Sequence, residues 1–236
     1  MTTNDGVKLL AMASIYGNKS PIELPIYSVS ETAHHLGLPR STVNAWVSGQ
    51  PGFESVILVD SQESRILSFR NLVEIYNLSA LKDYGVRLPA VRKAIRYLRD
   101  RFNTDHPLAD QKFFTDGHNV FIKKYGEIVD ISNAGQLAMS EVMSRYLKRV
   151  VRDKKGLPVR LYPRISSRVD DNRQSVSIDP QILFGQPCLA GTRIPTSVIG
   201  ERYKAGDSIS DLMEDYGCTA AQIEDALRYE FPIRAA

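Results

Sequence analysis

The sequence predicts an α+β chain. It should have a helix pair and a β-hairpin at the N-terminus, a small antiparallel sheet with helices in the middle, and a three-helix unit at the C-terminus. Three observations carry this reading. Residues 28–47 combine a helix-start motif, a mid-segment glycine and apolar positions at helical spacing. Residues 54–69 and 112–131 hold β-rich runs interrupted by polar or glycine-containing tips. Residues 208–230 return to the spacing of the first segment.

In the first segment, Ser28 and Glu31 form the Ser-x-x-Glu pattern whose side chains satisfy the free amides of a helix start. Gly37 permits the left-handed turn that ends this helix, and a second helix should begin around Pro39 to Ser41. Ala33 falls where two helices cross closely, and Val43 and Trp46 fall on the inner face of the second helix. "ESVILVDSQESRILSF" then reads as a hairpin around the tip "DSQES". Together these elements describe a winged helix-turn-helix, whose second helix projects toward a major groove. Arg40, Ser41, Thr42 and Asn44 lie at the start of that helix, where side chains could reach base edges and amides could meet phosphates. Read structurally instead, Ser41 would cap the helix and Thr42 would be solvated. Arg65 would sit in the wing.

"SFRNLVEIYNLSALKDYG" and "LPAVRKAIRYLRDRF" are predicted helices, the second carrying Arg92, Lys93, Arg96, Arg99 and Arg101. These cations suit either a solvated face or a phosphate-facing one. In residues 112–131, Asp116-Gly117 and Tyr125-Gly126 are read as turns of a small antiparallel sheet. Met139, Val142, Met143, Tyr146, Leu147 and Val150 then give an amphipathic helix, with Arg145, Lys148, Arg149 and Arg152 on its remaining surface, and "PVRLYP" gives a strand. Residues 166–175 contain no apolar run and read as a linker. The expected organisation is 1–105, 106–168, a linker at 169–175, and 176–236. No internal repeat of useful period is visible.

At 236 residues and 43% hydrophobic composition, two domains are expected. Charge separates them: residues 1–168 hold 24 basic and 16 acidic side chains, and residues 169–236 hold 6 and 11. The first part suits phosphate backbones and the second does not. Between Asp207 and Glu230 there are seven acids against Arg228 alone, so that unit is better placed to hold protein than DNA. The two cysteines, Cys188 and Cys218, lack metal or disulfide spacing, and no signal peptide or membrane span is apparent. A cytoplasmic protein without cofactor or metal is expected.

Catalysis is set aside on the residues available. His34 and His35 are adjacent on a helix and point apart, which makes them surface polar residues rather than ligands. Cys188 and His118 have no supporting motif, and the C-terminal acids lack the convergence a nuclease needs.

"YSVSETAHHLGLPRSTVNAWV", the hairpin and "LSFRNLVEI" resemble the MerR-type winged helix-turn-helix. That resemblance implies DNA contacts by Arg40, Ser41, Thr42, Asn44 and Arg65. Family members commonly have an arginine and aromatic pair after the threonine; Val43-Asn44-Ala45-Trp46 departs from this, so base preference does not carry over. The long dimerising coiled-coil helix of many such proteins is also missing from the pattern. Residues 178–230, with Gly185, Pro187 and "GTRIP" at 191–195, resemble a bacterial domain family of unknown function. In that stretch Thr192 can cap, Pro195 suits a helix start, and Arg193 should tie the loop to an acidic neighbour.

The combination, with "TDGHNVF" and "GQLAMSEVMSRYL" between, resembles the long VapB-type antitoxins of bacterial toxin-antitoxin pairs. The resemblance implies a PIN-like ribonuclease toxin as partner, whose acidic metal-dependent site the antitoxin blocks or distorts. It also implies repression of the shared operon, as a homodimer on operator DNA. A stand-alone MerR-like regulator with an effector-binding middle domain is the alternative reading.

Overall fold

A computed structural model of the chain describes residues 20–49, 54–59, 65–81, 87–163 and 173–232. It is an α+β fold of packed helices with two small antiparallel two-stranded sheets.

The N-terminal pair forms as its sequence dictates. Helix α1 (Val29–Leu36) starts in a capping box, with Ser28 accepting from the Glu31 amide and Glu31 accepting from the Ser28 amide. It ends at Gly37 with φ 62° and ψ 33°, a backbone position that only glycine takes without strain. Helix α2 (Arg40–Ser48) follows and buries Val43, Trp46 and Val47. Helices α3 (Phe69–Ser79) and α4 (Leu88–Phe102) complete this part; α3 lies in the centre of the core and is buried along nearly its whole length.

The expected wing hairpin is not the pairing found. Residues 60–64, its tip, lie outside the described residues. On the flanks, Leu67 pairs antiparallel with Tyr27 and not with residues 54–59. The reason is that 54–59 has other partners. Its alternate carbonyls, Glu54, Val56 and Leu58, accept from Arg92, Arg99 and Asn71 respectively, while the amides of Val56 and Ile57 donate to the Trp46 carbonyl. Side chains of α3 and α4 therefore satisfy backbone groups that a neighbouring strand would otherwise have taken.

The sheet expected at 112–131 is helical. A π-helical turn (Phe113–Gly117) runs directly into α5 (His118–Val129). The two glycines read as turns serve helix packing instead. A β-carbon on Gly117 would lie 2.6 Å from the Phe102 ring, and one on Gly126 would lie 2.6 Å from the Gln136 side chain. Phe113, Gly117, Phe121 and Tyr125, four residues apart, form the buried face, so the governing period is helical. Helix α6 (Asn133–Leu147) packs against α5 and leads to β1 (Val150–Arg152) and β2 (Pro158–Leu161), an antiparallel hairpin.

One buried cluster extends from Ile22 to Ile178. A smaller one, built on Leu189, Ile199, Leu212, Cys218, Ile223 and Ala226, belongs to the C-terminal unit. That unit comprises β3 (Val176–Ser177), β4 (Cys188–Leu189), α7 (Thr196–Ala205), α8 (Ile209–Tyr216) and α9 (Ala220–Glu230).

Helices α8 and α9 are a structural counterpart of α1 and α2, as the shared spacing of the two segments leads one to expect. Ser208 and Asp211 form a capping box as Ser28 and Glu31 do, and both leading helices are eight residues long. Gly217, at φ 61° and ψ 31°, reproduces Gly37. Ile223 and Ala226 occupy the buried positions of Val43 and Trp46. At the crossing, Ala33 is buried whereas Met213 remains half-buried, as expected for the larger side chain.

Candidate functional site

The start of α2 is open. Pro39 is its N-cap and no side chain caps it, so Ser41 is not the cap that a purely structural reading requires. Arg40 and Ser41 are exposed, and Thr42 and Asn44 are half-buried. No acidic residue occupies the first turn. Arg40 and the positive end of the helix thus add to one another without an internal counter-ion on that turn. Arg65, exposed and at φ 48°, reaches across to Asn44, with its Nη1 3.4 Å from the Asn44 Oδ1. The Ser48 hydroxyl donates to the same oxygen. The five residues singled out in the sequence therefore lie on and beside one helix start.

The other cations are more committed than their number suggests. Arg92 is buried on the Glu54 carbonyl, Arg96 pairs with Glu54, and Arg99 donates to the Asp105 and Val56 carbonyls. Arg149 is buried and donates to the carbonyls of Tyr162, Pro163 and Arg173. Arg152 bonds to the Gly156 and Ala109 carbonyls over the Phe114 ring, and burial pushes its guanidinium down to about 10. These arginines hold loops. Lys93, Arg101, Arg145 and Lys148 stay exposed.

The acidic face of the C-terminal unit is similarly reduced. Arg202 pairs with Asp207 and Asp215, Asp211 sits in the α8 capping box, and Glu224 pairs with Arg228. Asp225 is fully buried, accepting from Ser175, Arg173 and Arg228. Glu230 accepts from the Thr196 hydroxyl at 2.5 Å. Six of the seven acids thus have partners within the unit, of which Asp211 and Glu230 bond to neutral hydroxyls and keep their charge.

The GTRIP stretch is a tight loop between β4 and α7. Gly191 is at φ 80°, and Thr192 bridges the turn by donating to the Leu189 carbonyl and accepting from the Ile194 amide. Pro195 is the N-cap of α7. Arg193 departs from expectation: it is exposed, and among the described residues it has no ion pair with an acidic neighbour. The hydroxyl of Thr192 already closes the loop, leaving the guanidinium outside.

The two parts of the chain meet along α1, from Tyr27 just before it to His34 and His35 in its last turn. The Tyr27 hydroxyl donates to the Gly185 carbonyl at 3.2 Å, and the Tyr229 hydroxyl lies 2.9 Å from His35 Nδ1 with the two rings stacked. His34 Nε2 is 3.9 Å from Glu230. His35 is therefore a junction residue and not a surface one, a role that its neighbour in sequence hid. Beside this junction lies a cleft of about 510 Å³ whose walls include Glu31, His34, Phe184, Gln186 and Glu230.

Burial, reinforced by His34, lowers His35 to about 4 from an ordinary value near 6.5, while Glu31 opposes the shift. The imidazole is thus neutral near neutral pH, and Tyr229, whose pKa burial raises, remains a phenol able to donate to it. Because the folded value is depressed, the stabilisation is complete above 6.5 and is lost as pH falls toward 4. Between pH 7 and pH 5 the native protein should lose about 2 kcal/mol through this group, a loss absent from His35→Gln. Urea unfolding of both proteins at the two pH values checks this; parallel pH dependence would contradict it.

Cys188 is buried, its thiol donates to the Gln186 carbonyl, and burial raises its pKa, which disfavours a thiolate. His118 is buried between the Phe113 carbonyl and Ser144. Among the described residues no cluster of three or more His, Cys, Asp or Glu could hold a metal ion, and no helix is long and apolar enough to cross a membrane.

Residues 176–229 match the family described as "Protein of unknown function (DUF433)", which includes the GTRIP loop and both C-terminal paired helices. The fold is similar to a crystal structure of Rv2018 from Mycobacterium tuberculosis, with TM-score 0.67 and 23% identity, over 88% of this chain and 99% of that one. Two proteins of the same organism match in sequence. "Uncharacterized protein Rv2308" is 27% identical over 92% of this chain and 94% of its own length. "Putative antitoxin VapB45" is 26% identical over 87% of this chain and 93% of its own length. Across both of its parts, then, the chain is similar to a protein named as an antitoxin.

Proposed function

We propose that the chain is an antitoxin that binds and neutralises a PIN-like ribonuclease toxin and represses its own operon as a homodimer on operator DNA. The observation that carries this reading is the similarity to "Putative antitoxin VapB45" along most of both chains. A match confined to the C-terminal unit would speak only for that unit. In this reading residues 1–105 bind DNA, residues 106–168 form the middle region, and residues 176–236 contribute the toxin-facing surface.

The DNA-binding part is supported by the uncapped α2 start, its exposed Arg40 and Ser41, and Arg65 at Asn44. Amides at a helix start favour phosphate oxygens, and Arg and Asn are suited to guanine and adenine edges. A two-fold dimer would place two such helices on half-sites about one DNA turn apart. In the C-terminal pair the equivalent helix α9 presents Ala220, Ala221 and Glu224 near its start, a composition that does not favour phosphate.

Arg40→Ala and Asn44→Ala should each weaken operator binding by about 1–3 kcal/mol, with inhibition of the toxin unchanged. Asn44→Ala should also release Arg65, so its effect and that of Arg65→Ala should be less than additive. Fluorescence anisotropy on the promoter fragment measures these values. Unchanged affinity in both single variants would remove α2 as the reading helix.

A further inference from the structure

Asn44 lies one turn beyond Arg40 on the same row of α2, with Ser48 one turn further. Its side-chain oxygen is already engaged. The Ser48 hydroxyl donates to Oδ1 at 3.3 Å, and the Arg65 Nη1 donates to it at 3.4 Å. A guanidinium has donors only, so the atom facing Arg65 must be the amide oxygen, and these two donors take both of its lone pairs. An asparagine that clamps adenine needs that oxygen for the exocyclic amine while its nitrogen donates to the ring. With the Arg65 contact in place, Asn44 cannot make that clamp.

Arg65 is in the opposite position. It is exposed, and its bond to Asn44 occupies only one arm of the donor fork. Its backbone is left-handed at φ 48°, a conformation that is costly for a residue with a side chain. Two residues on, the buried Leu67 pairs with Tyr27, its amide donating to the Tyr27 carbonyl at 2.7 Å and its carbonyl accepting from the Tyr27 amide at 2.9 Å. Arg65 is therefore held at both ends, its backbone beside this bridge and its guanidinium by α2. A phosphate contact needs only a cation within reach, whereas a guanidinium oriented by a side chain of the reading row suits the paired acceptors O6 and N7 on the major-groove edge of guanine.

Building on the DNA-binding reading, we propose that Arg65 reads a guanine and that Asn44 is a positioning residue for it, with no base contact of its own. Base preference then arises from two residues 21 apart in the sequence, with Ser48 orienting the amide and the amide orienting the guanidinium.

The test uses the full chain and a duplex from its own promoter, trimmed to the protected region and substituted one base pair at a time. For the native chain, replacing one G·C pair in each half-site should lower affinity about 10-fold or more, and 7-deazaguanine there, which lacks the N7 acceptor, should also weaken binding. Arg65→Ala and Asn44→Ala should each abolish the preference at that pair and at no other, and the double variant should do no more than either. Asn44→Asp still accepts from Arg65 and should keep the guanine preference at lower overall affinity, whereas Arg65→Lys lacks the fork and should lose it. Preference is a ratio between sequences for one protein, so partial unfolding of a variant does not enter it. If the native chain binds no promoter DNA, the DNA-binding reading falls and this inference with it. If Arg65→Ala weakens every duplex equally, Arg65 holds only phosphate. If Asn44→Ala abolishes the preference at a separate A·T pair, Asn44 reads adenine itself, and if Arg65→Ala tightens binding, the contact is inhibitory. Each of these three results overturns the inference and leaves the DNA-binding reading standing.

Discussion

Trp46→Ala is expected to destabilise the protein by about 3–5 kcal/mol and to abolish operator binding. Trp46 is 3% exposed and lies on the inner face of α2 beside Val43 and Val47. Removing it leaves a cavity between α2 and the rest of the core. The Trp46 carbonyl, which alanine keeps, accepts from the amides of Val56 and Ile57, so any shift of α2 into the cavity would carry 54–59 with it. A loosened α2 would misplace Arg40, Asn44 and Arg65 together. Trp46→Phe refills most of the volume and should recover the greater part of both stability and binding. Thermal unfolding followed by circular dichroism, with anisotropy on the promoter fragment, measures the two effects. A small stability loss would show that α2 is not anchored by this ring.

Gly185→Ala is expected to cost about 2–4 kcal/mol and to weaken the junction between the two parts of the chain. The position is left-handed, and a β-carbon there would overlap the Tyr27 hydroxyl. Tyr27 cannot retreat, since it is 3% exposed and its backbone pairs with Leu67. Tyr27→Phe removes the overlapping oxygen along with the hydrogen bond to Gly185. The double variant should therefore be more stable than the sum of the single losses predicts, by about 0.5–3 kcal/mol. Strict additivity would mean that the two residues do not meet. Limited proteolysis gives a second readout, as Gly185→Ala should speed cleavage between the two parts.

Local chemistry made the N-terminal pair legible in the sequence. Ser28, Glu31, Gly37 and Trp46 each have a positional meaning that tertiary contacts did not override. The segment at 112–131 failed for a definite reason: glycine after Asp116 and after Tyr125 signals a turn equally well when the real demand is close approach by Phe102 and Gln136 from elsewhere in the chain. Long-range partners also explain the wing. The side chains that occupy the carbonyls of 54, 56 and 58 come from α3 and α4, and nothing within 54–69 announces them.

The charge-based reading had the same weakness on a larger scale. Counting acids between Asp207 and Glu230 cannot show that Asp225 is buried on Arg173 and Ser175, nor that Arg202, just upstream, takes up both Asp207 and Asp215. The candidate DNA residues lie close together in the fold because they share one helix start and the segment beside it. The junction at His35, Tyr229, Tyr27 and Gly185 had no signal in the sequence beyond the glycine, since its members are separated by most of the chain. The matching of α8–α9 to α1–α2 was legible by contrast, because the capping and turn residues agree even though the charged residues around them do not.

The most direct test of the central claim is to co-express the tagged full chain with its genomic neighbours, isolate what co-elutes, and assay RNA cleavage by that protein with and without the chain. The account predicts a stoichiometric nuclease whose activity is silenced by the native chain and returns when the chain is removed. A chain that binds its promoter DNA but recovers no nuclease, or a co-eluting nuclease that cleaves RNA equally in its presence, would contradict it.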